Sequence, residues 1–353
     1  MPSARSTMLA VLPLFAVVVC PITLAAQDPE RFSLTGNAVA VYNLAGAVRV
    51  EAGSGANVVV EVRRAGKDAS QLKIERREVG GRAALVVRYP TDDDVVYRSD
   101  RWNGQTNLNV RGDGTFYDDG ARGDRVRIRS SGSGTEAHAD LRVLVPAGHS
   151  VNVRLGVGDV SATGISGTLD IDVGAAPVQT SGTRGALRID TGSGQVRVTD
   201  AQGDVIVDTG SGGVQLSGVR GGSLQVDTGS GSVTGSGITA PSVRVDTGSG
   251  LIELSAVTAG DLELDTGSGS VELELASDVE HLRIDTGSGS VRLLVPGSLG
   301  AAINAETGSG GISCDVPITV THRERDQLAG RIGDGRGRIE IDTGSGAIRI
   351  TGR

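Results

Sequence analysis

Aromatic side chains are scarce in this 353-residue sequence. Phe, Tyr and Trp together make up 2% of it, and none occurs from Val151 to Arg353. This scarcity excludes a core built around large rings. Yet hydrophobic residues reach 38%, which is too many for a typical disordered chain. The sequence therefore predicts an ordered protein whose core consists of medium-sized aliphatic side chains.

Cysteine, proline and an excess of basic residues are also lacking. Of the two cysteines, only Cys314 lies outside the N-terminal segment, so we expect no internal disulfide. The net charge of −8 argues against nucleic acid as a partner, because nucleic-acid binding needs a basic surface. Glycine, in contrast, is abundant at 54 residues against 10 prolines. This balance is typical of short strands joined by tight turns.

The N-terminal segment, 1–26, has the pattern of a secretory signal peptide. Arg5 precedes an apolar stretch, and Ala25 and Ala26 offer a cleavage site before Gln27. Cys20 follows Val19, where a lipoprotein signal would have a small residue, so lipidation is not favoured. We expect export to the periplasm, cell surface or medium. No later apolar run is long enough to cross a membrane, so we expect no transmembrane helix in the mature chain.

The dominant feature of the sequence is the repeated motif DTGSG. When the variant at Glu306 is counted, neighbouring copies recur at intervals of 18 to 21, except for a last interval of 36. Degenerate copies, RLGVG and DVGAA, begin at Arg154 and Asp172, and the variant ETGSG begins at Glu306. A fixed period near 20 indicates a repeat architecture. The complete copies begin at Asp190, Asp208, Asp227, Asp246, Asp265, Asp285 and Asp342.

Apolar residues alternate with polar ones on both sides of the motif. Leu187 and Ile189 precede Asp190, and Val196 follows it, with the same phase in later units. Alternation with period two is the mark of a strand that is buried on one face. A single unit cannot bury that face alone, but stacked units can. We therefore predict an all-β fold: a single-chain parallel β-solenoid (β-helix) with about 18–20 residues per coil, its coils about 4.8 Å apart.

Asp-Thr-Gly-Ser also carries the catalytic aspartate of pepsin-like proteases, but that function needs two such sites and not seven. A structural turn explains every copy. We expect Asp to accept hydrogen bonds from nearby backbone N–H groups, Thr to bond its copy in the next coil, and Gly to supply positive φ. The predicted turn glycines are Gly192, Gly210, Gly229, Gly248, Gly267 and Gly287.

Stacking the motif would place its carboxylates in a column, which we call the acidic ladder. Like charges about 5 Å apart repel. Turn hydrogen bonds, nearby arginines or bound cations could offset this, and calcium would suit a column of oxygen ligands. We expect no cofactor, with Ca²⁺ as the open alternative. Its candidate ligands are Asp190, Asp208, Asp227, Asp246, Asp265 and Asp285. The arginines nearest the motif are Arg188, Arg197, Arg244, Arg283 and Arg292.

The N-terminal third is less regular. We divide the chain into the signal peptide (1–26), a β-rich cap with the first coils (27–150), and the DTGSG solenoid (151–353) with an insertion near 314–337. A polar loop at 90–124 carries Tyr97, Trp102, Phe116 and Tyr117, and Tyr89 directly precedes it. These side chains either pack a cap on the open end of the solenoid or bind a carbohydrate or protein partner. The candidates are Tyr97, Trp102, Phe116 and Tyr117.

The strand–TGSG–strand units, VPAG at 145–148 and the final GRIEIDTGSGAIRI resemble the bacterial putative-adhesin family of β-strand repeat proteins, a domain of unknown function. The resemblance implies an exported β-solenoid and supplies no catalytic residues. We therefore expect a non-enzymatic adhesin or cell-envelope interaction module, whose partner would be a surface glycan or an envelope protein. The alternative is a polysaccharide-active β-helix enzyme, which would need acids or bases that break the repeat at one place.

Overall fold

A computed structural model describes residues 28–90, 93–100, 102–117 and 123–353. The predicted signal peptide, including Cys20, lies outside these residues. One short 3₁₀ helix, Ala69–Gln71, accompanies the strands of the described part of the chain. The strands of the N-terminal third are β1 (Glu30–Leu34), β2 (Ala38–Ala52), β3 (Val58–Ala65), β4 (Lys73–Val79), β5 (Arg82–Arg88), β6 (Val95–Val96), β7 (Gln105–Val110), β8 (Asp124–Arg129) and β9 (His138–Val145).

The repeat region consists of strands throughout, most of them short. Its first part contains β10 (His149–Thr163), β11 (Gly167–Ala175), β12 (Val178–Ser181), β13 (Leu187–Ser193), β14 (Val196–Thr199), β15 (Gln202–Thr209), β16 (Val214–Ser217), β17 (Arg220–Thr228), β18 (Val233–Thr247) and β19 (Ile252–Thr266). Its last part contains β20 (Val271–Leu275), β21 (His281–Thr286), β22 (Val291–Val295), β23 (Ala301–Thr307), β24 (Ile312–Cys314), β25 (Thr319–Arg323), β26 (Gln327–Ile332), β27 (Gly337–Thr343) and β28 (Ile348–Gly352).

Successive repeats pair as parallel strands in register, so the predicted β-solenoid is confirmed. β13 pairs with β15 so that Asp190 lies opposite Asp208, and β18 pairs with β19 so that Asp246 lies opposite Asp265. The offset between paired strands thus equals the spacing of the DTGSG motifs in the sequence. Twenty-five of the described strands form one continuous sheet.

The core is a set of aliphatic columns between the stacked strands. One column contains Ile189, Val207, Val226, Val245, Leu264 and Ile284, and none of these side chains is more than 1% exposed. Burying one such side chain stabilises the fold by about 1.5–3 kcal/mol. β-branched residues suit these extended segments. The lack of aromatic residues after Val151 follows, because each coil leaves room only for side chains of this size.

The coils do not stack in the order of the sequence at the C-terminal end. β27 pairs with β21 on one side and with β23 on the other, both in parallel. The last repeat therefore lies between the two repeats that precede it. The long interval before the last DTGSG was expected to reflect one unit with an insertion. It contains β24 and the hairpin of β25 and β26, and β26 lines up antiparallel to the outermost strand, β23.

The N-terminal end has the same kind of rearrangement. β2 pairs in parallel with β10 over most of its length and, on its other side, with β5 and β9. The outermost coil is thus formed by β5 and β9. Antiparallel strands cover it, because β4 pairs with β5 and β3 pairs with β9. The sheet continues without interruption past residue 150.

The segment predicted as a long polar loop contains part of a second, smaller sheet of β6, β7 and β8. This small sheet connects β5 to β9 and packs against the side of the solenoid. Its side chains of Leu108 and Ile128 lie so close to Gly156 that a Cβ there would be 2.7 Å and 3.0 Å from them. The small sheet therefore covers a flank of the first coils, whereas the ends are covered by β4, β3 and the hairpin of β25 and β26.

Candidate functional site

The threonine of DTGSG fastens the corners of the solenoid. Thr247 Oγ1 accepts a hydrogen bond from the N–H of Gly250 (3.1 Å) and donates one to the carbonyl of Gly231 in the preceding coil (3.0 Å). The same two bonds recur at Thr228, Thr266, Thr286, Thr307 and Thr343. Expecting Thr to bond its own copy was wrong, because its partner is a glycine carbonyl. A residue that makes the same backbone bonds in copy after copy serves the stack and not one catalytic centre.

The motif glycines are needed for close stacking. The first glycines of the corners do not adopt the left-handed φ that the sequence suggested. A Cβ on Gly210 would instead lie 2.6 Å from the carbonyl oxygen of Gly192 in the preceding coil, and one on Gly250 would overlap the carbonyl of Gly231. Glycine therefore lets neighbouring backbones touch. The same contact with the preceding coil occurs at Gly192, Gly229, Gly248, Gly267 and Gly287.

The aspartates form the expected ladder in single file, half-buried or exposed. None of them accepts a hydrogen bond from a turn N–H within the described residues, so the predicted Asx-turns are absent there. Burial first, and then the neighbouring ladder carboxylates, raise the pKa values of Asp190, Asp227, Asp265 and Asp342 above their ordinary value. The ladder is therefore a column of carboxylates that repel one another.

Arginines offset part of this charge. Arg283 Nη2 lies 3.3 Å from Asp285 Oδ2, and the charges of Arg188 and Arg244 lower the pKa values of nearby ladder carboxyls. Arg197 donates to Gln215 and Arg292 donates to Glu272, so neither of these arginines pairs with a ladder aspartate through these bonds. In the described parts of the chain, no three His, Cys, Asp or Glu side chains come close enough together to hold a metal ion. Calcium at the ladder stays a prediction from the sequence.

The candidate aromatic residues form two separate clusters. Tyr97 packs against Trp102, with ring centroids 6.2 Å apart, and against His138. Phe116 packs against Tyr42 and Tyr117, at 5.9 Å and 5.1 Å. The side chains of Tyr97 and Phe116 are 6% and 1% exposed, so they fix the small sheet to the solenoid.

The two remaining candidates, Trp102 and Tyr117, are partly exposed. Tyr117 has a φ of 63°, an uncommon conformation for a residue with a large side chain. Its hydroxyl oxygen lies against the backbone at Gly174, where a Cβ would overlap it. Burial, and then the charges of Asp172 and Asp190, raise the pKa of the Tyr117 hydroxyl, which keeps it protonated and neutral.

Tyr117 lines a cleft of about 320 Å³ between the small sheet, the β4–β5 hairpin and the coil of β10. We call it the Arg154 cleft. It is lined by Tyr42, Val79, Gly80, Arg82, Arg111, Tyr117, Asn152, Arg154 and Asp170. Three arginines from three different segments thus face one carboxylate, in a protein whose net charge is −8.

Arg154 lies directly opposite Asp172 in the next coil. It therefore takes the position at which the later coils have the aspartate of the acidic ladder. In the coil before it, the same place is taken by Tyr42. Arg154 is 9% exposed, and its Nη1 donates to Asp170 Oδ1 (2.9 Å) and to the Val153 carbonyl (3.4 Å). Burial opposes the charge of Arg154, but the hydrogen bond to Asp170 and the nearby carboxylates outweigh it and raise the pKa. Arg154 is therefore always charged.

Local turns hold the other two arginines in place. Arg82 follows Gly80 and Gly81, whose φ values of 56° and 75° make the two-residue turn between β4 and β5. Arg111 begins a tight turn closed by its own N–H, which donates to the Thr115 carbonyl (2.9 Å). The turns fix the backbone positions of both arginines, so both side chains start from the rim of the cleft.

Sequence reasoning found Tyr117 but missed the other residues of the cleft. One signal was available: RLGVG has Arg where the complete repeats have Asp. It was interpreted only as a degenerate copy. Arg82 and Arg111 could not be found, because only the fold brings their segments next to Arg154.

The fold and the cleft together define a parallel β-solenoid with one flanking sheet and a lateral cleft. The model of the family "Toastrack DUF4097" matches residues 127–351, so the chain belongs to this family of domains of unknown function. This confirms the resemblance to a putative-adhesin family. Among solved structures, one match covers 92% of this chain and 100% of its own, at 10% identity and a TM-score of 0.21. It is described as a putative cell adhesion protein from Clostridium sporogenes ATCC 15579. No curated protein matches.

None of the helical segments in the described residues is long and apolar enough to cross a membrane.

Proposed function

We propose that this protein is an exported, non-enzymatic interaction module of the cell envelope or the extracellular space, an adhesin in the broad sense, and that it holds its partner in the Arg154 cleft. The observation on which this proposal depends is that the repeated aspartate is replaced at the Arg154 cleft. The array repeats Asp at one corner position, and Arg154 and Tyr42 replace it in coils covered by the small sheet. Tyr42 packs against Phe116 of the small sheet, whereas Arg154 lines the cleft and pairs with Asp170.

Several features support this proposal. The pattern of the segment 1–26 favours export. The residues of the cleft bind and orient well, since arginine and tyrosine are among the side chains most enriched at the centres of binding sites. The partner is a surface glycan or an envelope protein. The solenoid acts as a stiff mount for the cleft, because coils are fastened to one another by threonine–glycine bonds.

The test is adhesion of the mature chain, residues 27–353, to a glycan array and to whole cells. We compare the unaltered protein with Tyr117→Ala and with Arg325→Ala, an exposed arginine in the turn at the far end. Adhesion that is lost in Tyr117→Ala and kept in Arg325→Ala supports the proposal. Adhesion that both variants keep places the partner elsewhere and contradicts it.

Export is tested separately by N-terminal sequencing of the protein from fractionated cells. A mature protein that begins at Gln27 outside the cytoplasm is the expected result. A cytoplasmic protein with residues 1–26 still attached overturns the exported part of the proposal.

A further inference from the structure

We propose that the Arg154 cleft binds a carboxylate-bearing sugar, such as a uronic acid unit of an acidic polysaccharide. This inference rests on the proposed function and specifies its partner. Three kinds of contact lie within one cleft: guanidinium groups, hydroxyl-binding side chains and a tyrosine ring. Each of them matches a different part of an acidic sugar.

The first observation that favours an acidic ligand is the charge of the residues that line the cleft. Arg82, Arg111 and Arg154 line it together with one carboxylate, Asp170, which already pairs with Arg154. Arg82 is exposed and makes no hydrogen bond or ion pair within the described residues. Arg111 lies on another wall of the cleft. Three guanidinium groups thus share the lining with one carboxylate, a composition that suits an anion.

The geometry of Arg154 favours a flat anion. Its two hydrogen bonds both come from Nη1. The opposite edge, formed by Nε and Nη2, makes no hydrogen bond to the described residues, and Nε is buried without a partner. The nearest acid on that side, Asp172, has its Oδ2 at 4.0 Å from Nε. Nε and Nη2 form the fork that arginine uses to bind a carboxylate through two parallel bonds. Nη2 of this edge makes no hydrogen bond to the described residues and is not buried, so an anion in the cleft meets Nη2 before Nε.

The remaining lining residues favour a sugar as the carrier of that anion. Asn152 lies opposite Asp170 in the neighbouring coil, and its side chain makes no hydrogen bond in the described structure. An amide and a carboxylate side by side can donate to and accept from sugar hydroxyls. Tyr117 presents part of its ring, held by Phe116, to the apolar face of a sugar ring. A volume of about 320 Å³ is at the lower end for ligand pockets, which fits one sugar unit of a chain.

The experiment measures binding by titration calorimetry with the mature chain, residues 27–353. The probes are a galacturonic acid disaccharide, the neutral galactose disaccharide with the same linkage, and inorganic phosphate. We expect the acidic disaccharide to bind about tenfold or more tightly than the neutral one, because hydrogen bonds to a charged group are the strong ones. Phosphate should bind more weakly than the acidic sugar. Equal binding of both disaccharides, or phosphate binding as tightly as the acidic sugar, overturns the proposal.

Two variants locate the binding. Arg82→Gln/Arg111→Gln should weaken the acidic disaccharide about tenfold or more and leave the neutral one unchanged. Arg154→Lys keeps the charge and loses the fork, and should weaken it as well. Arg325→Gln is the control, and a melting curve of each variant checks that it is folded. Unchanged affinity in the double variant overturns the proposal.

The outcomes separate this inference from the proposed function. If Tyr117→Ala abolishes adhesion to cells while the acidic disaccharide does not bind, the ligand class is wrong and the function stands. If the acidic disaccharide binds through the arginines while cell adhesion is unchanged in Tyr117→Ala, the ligand class stands and the proposed function is wrong.

Discussion

Threonine is the residue that makes the corner of each coil specific. Val has the same shape and would suit the buried position, but it could not bond two backbones at once. Thr247 joins the N–H of Gly250 and the carbonyl of Gly231, and so fastens its own turn and the neighbouring coil together. Thr191, in the first complete copy, stacks on the degenerate corner DVGAA, and its hydroxyl is buried with no partner. Thr191 is therefore a control for Thr247 within the same chain.

Thr247→Val should lower the free energy of unfolding by about 1–3 kcal/mol, because a buried N–H and a buried carbonyl lose their partner. Thr191→Val should change it by less than about 0.5 kcal/mol or raise it, because no bond is lost there. Denaturant unfolding of both variants measures the difference. Equal losses in the two would show that the hydroxyl does not fasten the corner.

The acidic ladder acts at the scale of a column of strands. Its most perturbed member is Asp172, at the edge of the small sheet. Burial first, and then the charges of Asp190 and Asp170, raise its pKa to about 7, although Arg154 and Arg188 act in the opposite direction. The folded chain therefore binds a proton at Asp172 at a higher pH than the unfolded chain, whose ordinary value is 3.8. Between these two values the contribution of Asp172 to stability falls as the pH rises.

Asp172→Asn should raise the melting temperature at pH 8 by about 2–4 °C, and the gain should disappear below about pH 4, where Asp172 is protonated in both states. The control is Asp204→Asn. Hydrogen bonds from the N–H and hydroxyl of Ser223 hold the pKa of Asp204 below its usual range, so this variant should lose stability above about pH 4. Melting curves from pH 4 to 8 test both. A gain in Asp172→Asn that does not depend on pH would contradict this explanation.

The whole molecule is a stack whose order differs from the sequence at both ends. In a simple solenoid the last repeat could be removed with little effect on the others. Here β27 and β28 lie between β21–β22 and β23–β24, so their removal takes away the parallel partners of the outer coil. The edge strands are protected as a consequence, since antiparallel segments cover β5, β9 and β23.

Truncation of residues 336–353 should therefore expose 301–332 to proteolysis, whereas deletion of 228–246 should leave a folded, shorter stack. The deletion joins Asp227 to Thr247 at the same phase of the repeat and removes one whole coil. Limited proteolysis with mass spectrometry and a melting curve distinguish the two. If 301–332 is as protected in the truncated chain as in the full one, the last repeat does not support the outer coil.

The repeat array could be predicted from the sequence because the relevant interactions are periodic. Alternation around each DTGSG identified Ile189, Val207 and their equivalents as one buried column. The roles inside the corner were predicted less well. Asp and Gly were expected to form an ordinary turn, but the contact that decides their roles is with the next coil. Such a contact cannot be derived from one unit alone.

At the candidate site, too, some residues could be predicted from the sequence and others depend on contacts between distant segments. Tyr117 was found because it is an aromatic residue in a long polar segment. Arg82 and Arg111 were missed, since nothing in their local sequence shows that they lie beside Arg154. Arg154 carried a signal, an Arg in an Asp position, which becomes meaningful only when its neighbours are known.

The sequence by itself determined the solenoid, its period, its aliphatic core and the acidic column, because a coil that repeats the same residues must bury and expose them in the same way. Only the tertiary structure decided the order of the coils at the two ends and the position of the small sheet over the first corners. Strand pairing depends on which edges are free when the chain returns, and the local sequence does not contain that information. The Arg154 cleft results from that choice, because β5, β10 and the turn after β7 meet there through the fold alone.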